Sequence, residues 1–205
     1  MAMIMAMPRW DPRAEDRLRH AALELYLEHG YENVTVAQIT ERAGLTRRTF
    51  SRYFTDKRDV LFAGSEQLPA ALADAVLHAD DALPPFGALL AALVDIGELL
   101  AGRVPHAAQR RAVIKASPEL QERERTKFAA VTGALADALQ QRGAAESGAR
   151  LLAQVGAAIF QTAFERWTDQ PEQADFSACV RKAATELAAS LGAADIPASS
   201  GRVRT

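Results

Sequence analysis

The chain has 205 residues and a formal net charge of −2 at pH 7, a length that accommodates one large or two small domains and excludes a peptide-sized scaffold. Because 49% of the residues are hydrophobic and 24% are charged, the composition is globular and excludes a disordered or fibrous chain. No stretch reaches the roughly 18 uninterrupted apolar residues of a membrane-spanning helix. The lone cysteine, Cys179, cannot form an intramolecular disulfide, which fits a reducing cytosol. We therefore expect a soluble cytoplasmic protein without a membrane partner.

Positive charge is concentrated in the N-terminal quarter of the chain. Between Arg42 and Arg58, six basic residues stand against one acidic residue, whereas residues 63–205 carry 14 basic and 17 acidic groups. A negatively charged partner is therefore expected to bind the N-terminal quarter.

Apolar residues recur at intervals of three and four along almost every long segment, which predicts an all-α fold. The first helix is predicted over residues 13–29, with Gly30 as its C-terminal cap. Thr35 and Gln38 have the spacing of a capping box and begin a second helix that ends at Gly44.

A third short helix is predicted over residues 47–54, with Thr46 as its N-terminal cap. Two short helices joined by a tight glycine-containing turn are typical of a helix-turn-helix, whose second helix lies in the DNA major groove. Phe50 and Phe54 fall on one face and should pack inward. The opposite face carries Arg47, Arg48, Ser51 and Arg52. Arginine bonds bidentately to guanine, so this face is suited to reading DNA; a solvated charged face is the alternative.

The run from Ala21 to Leu61, AALELYLEHGYENVTVAQITERAGLTRRTFSRYFTDKRDVL, resembles the DNA-binding domain of the tetracycline-repressor (TetR) family of bacterial regulators. Its most specific parts are HGYENVTV, AGLTRRTF and YFTDKRDVL. The resemblance implies that Thr35 and Lys57 hold phosphates and that the segment from Thr46 to Tyr53 contacts the groove. The expected DNA-binding residues are Thr35, Thr46, Arg47, Arg48, Thr49, Ser51, Arg52, Tyr53 and Lys57.

The sequence departs from the family pattern at two positions. Ser51 stands where the family often has tyrosine, and serine is too short to duplicate that reach. Thr40 stands where alanine is more usual between closely crossing helices, and its hydroxyl is expected to bond to a carbonyl three or four residues earlier. The target DNA sequence therefore cannot be taken from relatives.

Prolines and glycines divide the remaining chain. Further helices are predicted over residues 56–78, 86–101, 105–116, 118–141, 146–168 and 175–191, which gives about nine helices in all. Within the helix at 118–141, Glu119 and Arg123 have the i,i+4 spacing of an ion pair. The predicted domains are a disordered start at 1–12, a DNA-binding domain at 13–62, a ligand-binding and dimerisation domain at 63–192, and a disordered tail at 193–205.

The last two helices are expected to form a homodimer interface. Leu151, Val155 and Phe160 lie on different sides of the helix at 146–168, so one core cannot easily cover it. Two such helices from each of two chains would make a four-helix interface, which the resemblance also implies. Packing inside a monomer is the alternative.

The resemblance places an effector pocket among the middle helices of the C-terminal domain. The candidate wall residues are Phe86, Leu89, Leu93, Arg110, Val113, Phe128, Val131, Phe160, Phe164 and Trp167. Because few of them are polar, a largely hydrophobic small molecule is expected, although each residue also fits ordinary core. The segments RRAVIKASPELQERE and FERWTDQPE are similar to a subgroup thought to sense acyl-coenzyme A-like ligands. The helix at 56–78 is expected to transmit the structural change that an effector causes to the two DNA-binding domains of the dimer.

An enzyme is not expected, because the chain has no glycine-rich phosphate loop, no GxSxG elbow and no metal motif. No cofactor and no metal site are predicted, and Cys179 is interpreted as a small core residue. The favoured function is a ligand-responsive repressor that binds operator DNA. A helical adaptor or an enzyme without operator binding is the alternative, and steep salt dependence of DNA binding would separate these classes.

Overall fold

The computed structural model describes residues 13–101, 106–169 and 175–192, and the regular structure within these ranges is helical throughout. The predicted disordered segments at 1–12 and 193–205 lie outside the described residues. The α-helices are α1 (Ala14–His29), α2 (Val36–Arg42), α3 (Arg47–Tyr53), α4 (Asp59–Phe62), α5 (Leu68–His78), α6 (Pro85–Ala101), α7 (Ala107–Ala116), α8 (Pro118–Gln141), α9 (Glu146–Asp169) and α10 (Phe176–Gly192). Two short 3-10 helices, Tyr31–Asn33 and Ser65–Gln67, lie between them. The all-α prediction is therefore confirmed.

The prediction of one continuous helix at 56–78 is wrong. Helix α4 ends at Phe62, a 3-10 turn follows, and α5 begins at Leu68. Gly64 has φ +85°, a left-handed conformation that side-chain-bearing residues avoid and that no α-helix contains. The Ser65 hydroxyl donates to the Phe62 carbonyl, and the Glu66 carboxylate accepts from the Gly64 amide at 2.8 Å. The described part of the chain therefore has ten α-helices rather than nine. The continuous helix that was expected to transmit an effector's movement from residue 78 to residue 56 is interrupted at Gly64.

The described residues form two compact units. Residues 13–69 and 106–131 make up the first, and residues 70–101, 132–169 and 175–192 make up the second. The boundary between the units falls within α5 and within α8. In the part of the chain described here, no helix is long and apolar enough to cross a membrane.

The core of the first unit joins the helix-turn-helix to α7 and the start of α8. Its buried residues come from α1 to α4 and also include Val113, Ile114 and Leu120. Phe50 and Phe54 are each 2% exposed, which confirms that this face of α3 points inward. The DNA-binding segment predicted at 13–62 therefore shares one core with helices that come 45 residues or more later in the chain.

In the second unit, α10 packs on α9 and on α6. The Phe176 ring lies against the backbone of α6, because a Cβ atom added at Gly97 would be 2.0 Å from that ring. The same ring contacts Phe160, with centroids 5.5 Å apart, and Trp167, with centroids 6.1 Å apart. Gly156 gives Leu89 a similarly close approach to α9. Small residues therefore allow aromatic and leucine side chains to fill this core.

Candidate nucleic-acid interface

The turn between α2 and α3 is held by the backbone and by one arginine. Gly44 has φ +61°, and its amide donates to the Glu41 carbonyl at 3.0 Å. The Arg17 guanidinium, from α1, donates to the Ala43 carbonyl at the end of α2. The Thr40 hydroxyl donates to the Ala37 carbonyl at 2.9 Å, as expected for a threonine in this helix. These contacts fix the angle at which α3 leaves α2.

Threonine side chains cap both helices of the motif. The Thr35 hydroxyl accepts from the Gln38 amide at 3.3 Å, and the Gln38 carboxamide oxygen accepts from the Thr35 amide at 2.8 Å. This confirms the capping box predicted for α2. The Thr46 hydroxyl accepts from the Thr49 amide at 3.1 Å and lies 3.0 Å from the Thr49 hydroxyl. The two predicted starts of helices α2 and α3 are therefore correct to the residue.

The outer face of α3 carries the arginines that the sequence singled out. Arg47, Arg48 and Arg52 are exposed, as is Ser51. Among the described residues, the side chains of Arg47 and Arg48 have no hydrogen-bond or ion-pair partner. Arg52 differs, because its guanidinium donates to the Tyr53 hydroxyl at 2.9 Å and lies 4.8 Å from the Tyr53 ring centroid. Among the described residues, α3 therefore presents two unengaged arginines and one arginine that is held by its neighbour Tyr53.

Two other basic residues of the segment are neutralised within the protein. Arg42 donates to both carboxylate oxygens of Glu28, at 3.0 and 2.8 Å, and this contact lowers the pKa of Glu28. Arg58 contacts Asp56 at 2.6 Å and Glu119 at 3.2 Å. The hydrogen bond with Asp56 raises the pKa of Arg58, which keeps its charge fixed. The local excess of basic residues is therefore concentrated on α3 and not spread over the segment.

Lys57 is engaged with the 3-10 turn between α1 and α2. Its ammonium donates to the carbonyls of Tyr31 at 2.9 Å, Val34 at 3.0 Å and Glu32 at 3.4 Å. An ammonium has three N–H donors, so these acceptors use its full capacity. The phosphate contact implied by the resemblance stays a prediction, and it would require the ammonium to leave at least one of these carbonyls.

Sequence reasoning missed a polar network that links the 3-10 turn to the start of α8. The Tyr31 hydroxyl donates to the Glu119 carboxylate at 3.2 Å, and the Ser117 hydroxyl donates to the Glu32 carboxylate at 2.9 Å. Burial, followed by the nearby Glu119 charge, raises the pKa of Tyr31. Glu119 thus pairs with Tyr31 and Arg58, and the expected i,i+4 pair with Arg123 is not observed among the described contacts. Helical spacing alone gave no signal of these tertiary partners.

The predicted effector-wall residues fall in two different units. Phe86, Leu89, Leu93, Phe160, Phe164 and Trp167 lie in the second unit, and Arg110, Val113, Phe128 and Val131 lie in the first. Val113 is 4% exposed within the core that supports α1, so we assign it a packing role. No group of three or more metal-ligating side chains occurs within the described ranges.

Comparison with known proteins identifies the family that has this architecture. Residues 18–63 match the family model of bacterial regulatory proteins of the tetR family, and residues 83–192 match that of the MftR C-terminal domain. The second match alone covers more than half of the chain. The chain belongs to the TetR family. The sequence-based assignment, made on residues 21–61, is therefore confirmed and extended across the C-terminal helices of this TetR-family protein.

Individual relatives are similar over different parts of the chain. The HTH-type transcriptional regulator BetI of Escherichia coli is 41% identical over 81 residues, which is 38% of this chain and 42% of BetI. The match thus spans less than half of that curated relative. The structure of SmeT, in complex with triclosan, has a TM-score of 0.59 and 19% identity over 86% of this chain and 90% of SmeT. FadR from Bacillus subtilis, in complex with stearoyl-CoA, has a TM-score of 0.59 and 19% identity over 84% of this chain and 96% of FadR. These structures share the fold.

Proposed function

We propose that this TetR-family protein is a cytoplasmic transcriptional repressor that binds operator DNA as a homodimer and leaves it when a largely hydrophobic small molecule binds. The observation that carries the DNA-binding part is the exposed pair Arg47 and Arg48 at the start of α3, unengaged among the described residues. A guanidinium that is not used inside the protein is available to guanine O6 and N7 or to phosphates.

The neighbouring polar side chains are proposed to complete the interface. Two α3 helices related by a dimer axis would read a palindromic site whose half-sites lie about 34 to 36 Å apart, or a multiple of that distance. Arg52, held on Tyr53, is suited to a phosphate because its guanidinium is already oriented by a stacking and hydrogen-bonding partner. The remaining proposed contacts come from Thr35, Thr46, Thr49 and Ser51.

Exposed leucines on the last two helices support the homodimer. Leu151 of α9 is 62% exposed and Leu191 of α10 is 58% exposed in the single chain. Ala158 and Ala188 are exposed on the same two helices. Covering large apolar side chains on association is favourable by roughly 25 cal/mol per Å² of apolar surface. Leu151→Glu is therefore expected to shift the protein towards monomer in sedimentation velocity, while Leu27→Glu, at an exposed leucine of α1, should leave the dimer intact.

The effector class is proposed from the second unit and from the ligands of similar folds. Leu89, Leu93 and Phe160 are buried, while Phe86, Phe164 and Trp167 are half-buried. An apolar ligand would make apolar contacts with these side chains, since small-molecule pockets are lined mainly by hydrophobic and aromatic residues. The similar folds SmeT and FadR were solved with triclosan and stearoyl-CoA, each of which has a large apolar part. A hydrophobic molecule is thus the first class to test.

The deciding experiment titrates the purified protein onto labelled DNA from the intergenic region beside its own gene, at several KCl concentrations. A repressor should bind one segment tightly, bind random DNA of equal length at least about 1,000-fold more weakly, and lose affinity steeply with salt. A hydrophobic effector should then release the labelled DNA. An enzyme or a helical adaptor would show no salt-dependent preference for any segment, and that result would contradict the proposal.

A further inference from the structure

One carboxylate at the start of α8 contacts both segments that flank the helix-turn-helix in the chain. Glu119 Oε1 accepts from the Tyr31 hydroxyl at 3.2 Å and lies 3.2 Å from a guanidinium nitrogen of Arg58. Tyr31 begins the 3-10 turn that precedes α2, and Arg58 immediately precedes α4, the helix that follows α3. The chain therefore passes Glu119 once before the motif and once after it.

The backbone at Glu119 is fixed by buried neighbours on both sides. Ser117, which is 3% exposed, donates to the Glu32 carboxylate at 2.9 Å. Leu120 is 0% exposed and belongs to the core that α1 to α4 form. A carboxylate carried by such a backbone has a nearly constant position in the first unit. It can therefore hold the two flanking segments at a fixed distance from each other.

The contact with Tyr31 is expected to contribute more than the contact with Arg58. Tyr31 is 3% exposed, and within the described ranges its hydroxyl has Glu119 as its one hydrogen-bond partner. Leaving a buried donor without its acceptor costs more than a half-exposed ion pair contributes. Arg58 also keeps Asp56, at 2.6 Å, if Glu119 is removed. The turn before α2 is thus the segment that depends most on Glu119.

We infer that Glu119 is a positioning residue for operator binding, which acts on the helix-turn-helix through Tyr31 and Arg58. The turn at Tyr31 sets where α2 begins, because the α2 cap Thr35 follows it directly. A base contact needs its side chain placed to within about 0.5 Å, which requires supporting residues that do not touch the ligand. Phosphates repel a carboxylate, so an indirect role suits Glu119. The inference rests on the proposed function and adds a residue of α8 to it.

The first measurement removes the carboxylate and follows binding of the full-length dimer to the labelled intergenic segment. Glu119→Ala should weaken this binding about tenfold, the worth of one hydrogen bond to a charged group. Random DNA should lose less, because phosphate contacts tolerate a displaced helix. The salt slope should stay the same, since no phosphate contact is lost. Glu119→Gln keeps an acceptor for Tyr31 and should restore most of the affinity.

The matched control is Glu122→Ala. Glu122 is an exposed glutamate of the same helix, and its ion pair among the described residues is the local one with Arg125. This variant should bind both DNAs as the wild-type protein does. Thermal unfolding of each variant shows that it is folded at the temperature of the binding assay, so a change in Kd then reports on the folded protein.

The role of Tyr31 is tested by a double-mutant cycle and by hydrogen exchange. Tyr31→Phe keeps the ring and removes the donor, so the double variant with Glu119→Ala should bind no more weakly than Glu119→Ala alone. Without DNA, the amides of residues 31–38 should exchange about tenfold faster in Glu119→Ala, because the turn opens more often. Glu122→Ala should leave their exchange unchanged.

Three outcomes would overturn the inference. One is unchanged affinity in Glu119→Ala, and another is a double variant whose losses multiply. The third is tighter binding of all DNA with a salt slope larger by about one, because Glu119 would then only neutralise Arg58. A wild-type protein that prefers no DNA segment instead refutes the proposed function, and with it any role of Glu119 in DNA binding. Exchange at residues 31–38 separates that case, since it needs no DNA.

Discussion

The ammonium of Lys57 lies 4.2 Å from the centroid of the Tyr31 ring and donates to the Tyr31 carbonyl at 2.9 Å. The Tyr26 hydroxyl, in turn, donates to the Lys57 carbonyl at 2.6 Å. Lys57 thus ties the turn that precedes α2 to the turn that precedes α4. Because Thr35 caps α2 only one residue after Val34, another acceptor of the Lys57 ammonium, this contact also positions the start of the helix-turn-helix.

The first prediction follows from that contact. Lys57→Met should lower the free energy of unfolding by about 1 to 3 kcal/mol, because the carbonyls of Tyr31, Val34 and Glu32 lose a charged donor. Urea denaturation measures this change, with Lys182→Met as the control. If the ammonium stays on these carbonyls when DNA binds, the salt slope of DNA binding should stay unchanged. Unaltered stability together with a slope smaller by about one would instead support the phosphate contact implied by the family resemblance.

The second prediction concerns the two unengaged arginines of α3. Arg47→Ala or Arg48→Ala should weaken the specific site by roughly 1 to 3 kcal/mol and weaken random DNA much less, because a bidentate base contact is lost. Arg125→Ala is the matched control, since Arg125 is an exposed arginine of the same unit whose one ion pair among the described residues is the local pair with Glu122. Fluorescence anisotropy on both DNAs measures the ratio. Equal losses on specific and random DNA would mean that these arginines hold phosphates only.

The third prediction uses two glycines of the α-helical scaffold. Gly97→Ala should destabilise the protein by about 1 to 3 kcal/mol, because the added Cβ would lie 2.0 Å from an atom of the Phe176 ring and would overlap it. Gly133→Ala, within α8 and with nothing within 4 Å of the added Cβ, should instead stabilise by roughly 0.5 to 1 kcal/mol. Thermal denaturation of both variants gives the comparison. A harmless Gly97→Ala would contradict the close packing of α10 on α6.

Local chemistry explains why much of the motif could be read from the sequence. The caps at Thr35 and Thr46 act on amides three residues away, so the starts of α2 and α3 needed no tertiary information. The break at Gly64 was missed because a glycine inside a helical pattern costs only about 1 kcal/mol. Whether that glycine continues or ends the helix is decided by its surroundings, here the contacts of Ser65 and Glu66.

The site was less predictable than the fold because side-chain partners are distant in sequence. Glu119 meets Tyr31 across 88 positions, and Arg110 meets the Leu61 carbonyl across 49 positions. Helical spacing predicted that Arg47 and Arg48 point outward, but it could not show that Arg58 and Lys57 are engaged. The sequence count of positive charge therefore did not reveal that Arg42, Lys57 and Arg58 have partners within the protein.

The last prediction concerns Lys127 and the dependence of stability on pH. Its pKa is about 8 in the folded protein and 10.5 in the unfolded chain, so the unfolded state binds more protons between these values. Stability of the wild-type protein should therefore rise over this range as the buried charge is lost. Below pH 8 the lysine is charged in both states and its burial penalty is fully present. Lys127→Met should accordingly be more stable at pH 7, by about 3 kcal/mol, because the pKa difference is worth about 1.4 kcal/mol per unit.

The advantage of Lys127→Met over the wild-type protein should shrink steadily from pH 8 to 10.5, because neither chain then buries a charge at this position. Taking the difference between the two proteins removes the contribution of Tyr26 and Tyr31, whose raised pKa values lower the stability of both proteins alike at alkaline pH. Urea midpoints at five pH values would measure the trend. A difference that is constant with pH would mean that Lys127 is solvated in the folded protein, and that its pKa is not lowered by burial.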